Sequence, residues 1–342
     1  MEDKAIKNNA YDNLVLSLKA GQIEKLYIFH GEERYLLEHC LANLRTLICP
    51  DGLDSFNYKR FDAKTITLES FEDAVNTLPV FAERTLIEIH DFDIFKNENI
   101  RQQLCGTFAD LPDYVCIVFV YTVIEYKPDG RLKANKELLS CATVVEFAVQ
   151  QQDKLLKWIQ RHFLDAGKSI STGDAEYLAF ITGGLMTSLN GEIEKTAAYS
   201  KNEKITREDI DAVVIPVLDA VSYKLTDAIV SRDKKKALHL LDELFQMREA
   251  AHKLMFSISL KMRQLLAARV CIESNLSSSV LMEISGVRHE FQARTLIGTA
   301  RKSTLPACRN AVLFCSTAAL ELNSSSDPES CILELVCRLS EN

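Results

Sequence analysis

The sequence Leu26-Tyr27-Ile28-Phe29-His30-Gly31 is a short apolar run that ends at a glycine. A run of this length, bounded by a turn residue, is typical of a buried strand. Apolar residues then recur every three or four positions through residues 37–48, which is the spacing of one face of a helix. The stretch therefore predicts a buried strand, a tight loop and an amphipathic helix, as found in α/β folds.

Further strand-like runs follow the first one along the chain. They lie at residues 58–61, 85–90, 115–121 and 144–147, and helical patterns such as residues 68–77 separate them. Alternation of strands with helices predicts a mostly parallel sheet that is covered by helices. The amino-terminal part of the chain is therefore predicted to be an α/β domain.

Beyond Phe147 the strand-like runs stop and helical patterns take over. Residues 153–214 contain helical segments that are separated by glycine-containing turns, and Thr206 begins a capping pattern. From Pro216 onward the helices lengthen, with apolar stripes such as Ala237, Leu240 and Leu244. We predict an α/β domain at residues 1–145, followed by two all-α domains at 146–213 and 214–342.

Bulk composition limits the possible classes of protein. The chain has 342 residues, of which 47% are hydrophobic and 26% are charged, as expected for a folded protein of several domains. No apolar stretch is long enough to span a bilayer, and the N-terminus lacks the apolar segment of a signal peptide, so we expect a cytoplasmic protein. The net charge of −8 argues against a high-affinity nucleic-acid binder that acts alone.

Cysteine and histidine are not arranged as metal ligands. The ten cysteines are scattered without a CxxC pair, and the seven histidines form no HExxH pattern. Several cysteines lie in apolar runs, as Cys116 does, which is typical of reduced core residues. We therefore predict no metal site.

The loop after the first strand is where a phosphate-binding loop would lie. That motif, G-x-x-x-x-G-K-S/T, supplies backbone amides, a lysine and a hydroxyl to phosphates and magnesium. Counted from Gly31, the last three positions of the motif are Leu36, Leu37 and Glu38. Glu32 and Glu33 add negative charge where the phosphates would lie. We therefore expect no bound nucleotide, no other cofactor and no catalytic site.

Three segments resemble the delta subunits of the bacterial DNA polymerase III clamp loader. They are residues 27–33 (YIFHGEE), residues 77–84 (TLPVFAER) and residues 190–195 (NGEIEK). The resemblance rests on the order and spacing of these segments together with the degenerate phosphate loop. It implies a RecA-like, AAA+-type domain without ATPase activity, then a helical lid domain and a C-terminal helical collar domain.

The resemblance also implies a function in DNA replication. A delta subunit is expected to bind the ring-shaped sliding clamp and to open it, so that the clamp can be placed on primed DNA. The partners implied are the sliding clamp, the ATPase subunits and delta-prime of the same loader, and primed DNA within the assembly. Catalysis would belong to the partner subunits.

Leu78, Val80 and Phe81 match the segment with which the family contacts the clamp. Pro79 disfavours helix at Leu78 and so ends the preceding helix, which projects the residues that follow. An exposed aromatic at such a place can fill a hydrophobic pocket of a partner. For an arbitrary apolar triplet the ordinary expectation is that it packs under the strand that begins at Thr85.

Two alternatives have the same general architecture. An AAA+-type ATPase with an unusual phosphate loop would explain the strand, glycine and helix at the start of the chain. Against this alternative, the motif position that holds lysine in a phosphate-binding loop is Leu37. A delta-prime-like or ATPase subunit of the same loader would normally bring a four-cysteine zinc module, and the paired spacing that such a module needs is absent.

Overall fold

The computed structural model describes residues 2–49, 54–96, 108, 110–287, 290–324 and 327–341. The chain divides into two compact units, residues 1–150 and residues 151–342. The further division of the second unit near residue 213, into two domains, stays a prediction.

Unit 1 contains a five-stranded parallel sheet, which confirms the predicted α/β class. Its strand order is β2-β3-β4-β1-β5, and each adjacent pair is parallel. The strands are β1 (Leu26–His30), β2 (Tyr58–Asp62), β3 (Thr85–His90), β4 (Val115–Tyr121) and β5 (Thr143–Glu146). Strands β3 and β4 are buried along their whole length, as expected for the central strands of a sheet that is covered on both faces.

Two helices of unit 1, α2 and α4, confirm helical patterns that the sequence predicts. The helices in the described part of this unit are α1 (Glu2–Lys19), α2 (Arg34–Ile48), α3 (Asp54–Asn57), α4 (Leu68–Asn76) and α5 (Lys133–Cys141). Helix α2 buries Leu37, Cys40, Leu41, Leu44 and Ile48. Helix α4 begins with a capping box between Thr67 and Ser70 and buries Phe71, Ala74 and Val75.

The loop that follows β1 is held against the end of β5. The Phe147 N–H donates to the His30 carbonyl at 2.7 Å, and the Glu33 N–H donates to the Phe147 carbonyl at 2.9 Å. Gly31 lies between these two bonds with a φ of +136°, and a Cβ at this position would lie 2.2 Å from the Phe147 carbonyl oxygen. The loop therefore requires glycine for its backbone angle and for its close approach to Phe147.

We predict that Gly31→Ala lowers the free energy of unfolding by about 1–3 kcal/mol, because alanine is strained at this φ and its Cβ overlaps the Phe147 backbone. The midpoint of urea unfolding would measure the loss. The matched control is Gly130→Ala in the same unit, where an added Cβ meets nothing within 4 Å. Equal midpoints for the two variants would contradict this account of the loop.

Unit 2 is helical, as predicted, with one short addition. Its helices are α6 (Gln152–Asp165), α7 (Thr172–Thr182), α8 (Met186–Tyr199), α9 (Arg207–Val213), α10 (Leu218–Val230), α11 (Lys234–Gln246), α12 (Ala251–Glu273), α13 (Ser278–Ser285), α14 (Glu290–Arg301), α15 (Leu305–Leu322) and α16 (Pro328–Glu341). A two-residue parallel pair, β6 (Ser169–Ile170) with β7 (Lys204–Ile205), was not anticipated. Too few residues take part to produce a strand pattern in the sequence.

The local signals in unit 2 have the structural roles that the sequence predicts. Thr206 and Asp209 form a complete capping box at the start of α9. The stripe on α11 buries Ala237, Leu240 and Leu244. These side chains belong to an apolar core that includes Leu254 and Met262 of the long helix α12.

Candidate functional site

The three predicted site residues lie in residues 78–84, hereafter the 78–84 loop, which form most of the connection between α4 and β3. Helix α4 ends at Asn76, and β3 begins at Thr85. Pro79 cannot donate a backbone hydrogen bond and disfavours helical geometry at Leu78, so the chain leaves the helix here. Because α4 packs through Phe71, Ala74 and Val75 and β3 is buried along its whole length, the 78–84 loop has fixed elements on either side of it.

The apolar side chains of this loop face outward. Phe81 is 91% exposed, Leu78 is 66% exposed and Val80 is 36% exposed. The ordinary expectation, that all three residues pack under β3, is therefore wrong. A phenylalanine exposed to this degree has no role in the core of unit 1, and its contact with water is unfavourable in the free chain.

Phe81 also has an unusual backbone conformation. Its φ is +53°, in the left-handed region that residues with a side chain seldom adopt. For such a residue this conformation costs about 1–2 kcal/mol. Strain of this kind persists only where the surrounding structure holds the backbone in place.

Asn57 holds the residue before Phe81. The Val80 N–H donates to Asn57 Oδ1 at 2.7 Å, and Asn57 Nδ2 donates to the Val80 carbonyl at 2.8 Å. The Asn57 side chain is 1% exposed and projects from the end of α3. Sequence reasoning missed Asn57, because it lies 23 residues before Val80 and carries no local motif.

Residues after Phe81 are held as well. Arg84 Nη1 donates to the Ile23 carbonyl at 2.7 Å, and the Thr85 N–H donates to the Tyr114 carbonyl at 2.7 Å. The strained residue therefore lies between two anchored segments. This arrangement keeps Phe81 projecting outward although its side chain makes little contact with unit 1.

The 78–84 loop and the Gly31 loop lie at opposite edges of the sheet. The 78–84 loop precedes β3, whereas Gly31 follows β1, and the two strands run in the same direction through β4. A strand of six residues spans about 20 Å. The exposed Phe81 is thus remote from the position where a nucleotide would bind in an active relative of this fold.

The comparisons with known proteins identify the family. Residues 27–148 match the family model described as DNA polymerase III, delta subunit, and residues 219–338 match the model of the C-terminal domain of that subunit. The chain belongs to the DNA polymerase III delta subunit family. It is a non-catalytic subunit of the clamp loader, so the two alternatives, an AAA+-type ATPase and a delta-prime-like subunit, are wrong.

Relatives of this delta subunit match along most of its length. The DNA polymerase III subunit delta of Bacillus subtilis (strain 168) is 23% identical over 325 residues, which cover 93% of each chain. A probable delta subunit of Aquifex aeolicus (strain VF5) is 23% identical over 278 residues, 78% of this chain and 77% of that one. The solved structure of the Bacillus subtilis clamp loader delta protein covers 97% of this chain with a TM-score of 0.56.

The Gly31 loop of this delta subunit has an arrangement unlike that of a phosphate cradle. In a phosphate-binding loop the backbone amides point at the ligand. Here the Glu33 amide donates to Phe147, and the Glu33 side chain is completely buried. The loop therefore departs from a phosphate-binding loop in two ways. Leu36, Leu37 and Glu38 replace the Gly, Lys and Ser/Thr of the motif, and the Glu33 amide bonds to the protein itself.

A buried charged network lies behind the candidate site in this delta subunit. Glu88 of β3 accepts two hydrogen bonds from Arg45, from Nε and Nη2, at 2.6 Å each, and one from the Tyr58 hydroxyl at 3.0 Å. His90 Nε2 lies 3.0 Å from Glu88 Oε2. Because Tyr58 directly follows Asn57, the network fixes the chain on one side of the residue that holds Val80.

Burial and hydrogen bonding have opposite effects on the pKa of Glu88. Burial alone would raise it, but the bonds from His90 and Arg45 outweigh burial and lower the pKa below its ordinary value. Burial, followed by the negative charge of Glu88, raises the pKa of Tyr58 to about 12. Glu88 is therefore held as a carboxylate at neutral pH.

Two features are not found in the described part of the chain. None of its helices is long and apolar enough to cross a membrane. It also contains no group of three or more His, Cys, Asp and Glu residues placed to hold a metal ion.

Proposed function

We propose that this delta subunit binds the sliding clamp through Leu78, Val80 and Phe81 and opens the ring for loading onto primed DNA. The observation that carries the proposal is Phe81, which is 91% exposed at the tip of a loop that is anchored on both sides. The proposed partners are the clamp, the ATPase subunits and delta-prime of the loader, and primed DNA within the assembly, in the cytoplasm. In this proposal the helical lid spans residues 146–213, and the collar that joins the other subunits spans residues 214–342.

The physical basis for clamp binding is the hydrophobic surface of the loop. A large aromatic side chain that leaves water for a partner's pocket supplies much of the binding free energy of an interface. Phe81 is the natural centre of such a contact, and Leu78 and Val80 extend the apolar surface on one side. The anchored backbone adds to the affinity, because little conformational freedom remains to be lost on binding.

Clamp binding by this chain is expected to be independent of nucleotide. The Gly31 loop has no lysine or hydroxyl for ATP, and its Glu33 amide is already hydrogen-bonded to Phe147. In the assembled loader, ATP bound by the partner subunits would control when the 78–84 loop reaches the clamp. The isolated chain would lack that control.

The proposal is tested by mixing the purified chain with the sliding clamp of the same organism without nucleotide. We expect a complex on size exclusion, with an affinity that magnesium-ATP leaves unchanged. Ring opening is tested separately with clamp that has been loaded on nicked circular DNA, from which the chain should release it. The proposal would be contradicted if the chain bound the clamp neither alone nor within the reconstituted loader.

A further inference from the structure

We propose that Asn57 is a positioning residue for the clamp-binding loop. Its carboxamide holds the Val80 backbone and so presents Phe81 in its outward, left-handed conformation before the clamp arrives. This inference rests on the proposed function, because it assigns the residue that prepares the same site. Asn57 itself does not contact the clamp in this proposal, since its side chain is buried.

The two hydrogen bonds make a specific pair. The carboxamide accepts from the Val80 N–H at 2.7 Å and donates to the Val80 carbonyl at 2.8 Å, which satisfies both backbone groups of one residue. At 1% exposure the Asn57 side chain is shielded from competing water. Among the natural side chains, only an amide offers a donor and an acceptor side by side in this way, and a glutamine would be one methylene too long.

Asn57 is well placed to act as a fixed reference point. It ends α3 and directly precedes Tyr58, which pairs with Leu86 in the parallel β2-β3 register. The Tyr58 hydroxyl also donates to Glu88 of β3. The loop that leads into β3 is therefore held, through Asn57, by the strand next to β3 in the same sheet.

The two Asn57–Val80 hydrogen bonds matter because of the backbone conformation of Phe81, the next residue. A left-handed phenylalanine is unfavourable and would relax if the preceding residue were free to rotate. Without the Asn57 bonds, the 78–84 loop would sample conformations in which Phe81 points elsewhere. The apparent dissociation constant rises in inverse proportion to the fraction of molecules that remain competent to bind.

The test compares Asn57→Ala with a matched control, Asn135→Ala. Asn135 is also 1% exposed in unit 1, and its Nδ2 donates to the Asp129 carbonyl, but it lies on α5, before the strand at the other side of the sheet. We expect Asn57→Ala to weaken clamp binding about 10-fold, as for a competent fraction of about one tenth. Asn135→Ala should leave the affinity within about twofold of the wild type, because residues that share no partners act independently.

A second variant and a direct measurement separate positioning from folding. Asn57→Asp keeps an acceptor for the Val80 N–H, but it places a buried carboxylate oxygen against the Val80 carbonyl oxygen, so we expect clamp binding at least as weak as that of Asn57→Ala. Hydrogen exchange of the Val80 amide in the free wild-type chain should show protection that Asn57→Ala removes. An unprotected Val80 amide in the wild type would overturn the inference without the use of any variant.

The final comparison repeats Asn57→Ala in a Phe81→Ala background. If Asn57 acts through Phe81, its effect on affinity should shrink to less than about twofold there, as expected for coupled residues. Normal binding by Asn57→Ala, together with weak binding by Phe81→Ala, would overturn this inference and leave the proposed function standing. Normal binding by Phe81→Ala itself would overturn the proposed function.

Discussion

Replacing Phe81 by alanine is expected to weaken clamp binding about 30-fold or more. An aromatic hot spot contributes about 2 kcal/mol or more to binding, and each 1.4 kcal/mol corresponds to a factor of ten in affinity. Phe81 meets the description of a hot spot because its side chain is 91% exposed in the free chain and is held by an anchored backbone. Isothermal titration calorimetry with the purified clamp would measure the loss.

The control for Phe81→Ala is Val123→Ala. Val123 is 80% exposed in the same unit, but it follows β4 and so lies at the edge of the sheet opposite to the 78–84 loop. Its removal should change the affinity less than about twofold, and neither variant should lower the unfolding midpoint, since exposed side chains add little to stability. Unchanged affinity after simultaneous replacement of Val80 and Phe81 would remove the clamp-binding assignment.

Replacing Arg45 by methionine is expected to lower the free energy of unfolding of unit 1 by about 3 kcal/mol. Removing one partner of a buried ion pair leaves an uncompensated charge, which costs about 3–5 kcal/mol. Glu88 is fully buried, whereas Arg45 is partly exposed, so the lower end of that range applies. Hydrogen exchange of the amides in β3 and β4 would measure the loss in the full chain.

The matched control for Arg45→Met is Arg131→Met. Arg131 pairs with Asp129 at 3.0 Å, but its side chain is 90% exposed. A surface pair of this kind contributes little, so the exchange of strand amides should stay within about 0.5 kcal/mol of the wild type. Equal losses in the two variants would mean that the Glu88 network does not stabilise the sheet.

The same network predicts how stability depends on pH. The pKa of Glu88 is lower in the folded chain than its ordinary value of about 4.3, so the folded state favours the carboxylate. The resulting stabilisation is complete above the ordinary pKa and is lost as the pH falls through the lowered one. The difference in unfolding free energy between the wild type and Glu88→Gln should therefore be largest near neutral pH and shrink below about pH 4. If this difference in unfolding free energy grew as the pH was lowered, the pKa of Glu88 would not be lowered in the folded chain.

Most of the architecture could be predicted from the sequence. The strands at residues 26–30 and 115–121 are almost entirely apolar, and a buried parallel strand produces such a run because both of its faces are covered. The helical face of α2 and the capping box at Thr206 also depend only on residues within a few positions of one another. The short β6-β7 pair left no such pattern, since two residues are too few to show alternation.

The candidate site could be predicted only in part. The segment from Leu78 to Phe81 could be selected by its resemblance to the family and by the helix-ending effect of Pro79. Whether its side chains are buried or exposed could not, because an apolar triplet beside a buried strand is compatible with both. Exposure depends on what packs around the loop, and residues distant in the sequence decide that.

The sequence alone determined the strand and helix pattern, the degenerate phosphate loop and the family resemblance, because each depends on neighbouring residues or on residue identity. Only the tertiary structure decided that Phe81 projects from a left-handed backbone, that Asn57 holds Val80, and that Glu88 gathers Arg45, Tyr58 and His90. These features arise where β2 pairs with β3 and α2 packs beside them, which brings together residues up to 43 positions apart. Side-chain hydrogen bonds over such separations have no periodicity along the chain, so no local sequence pattern predicts them.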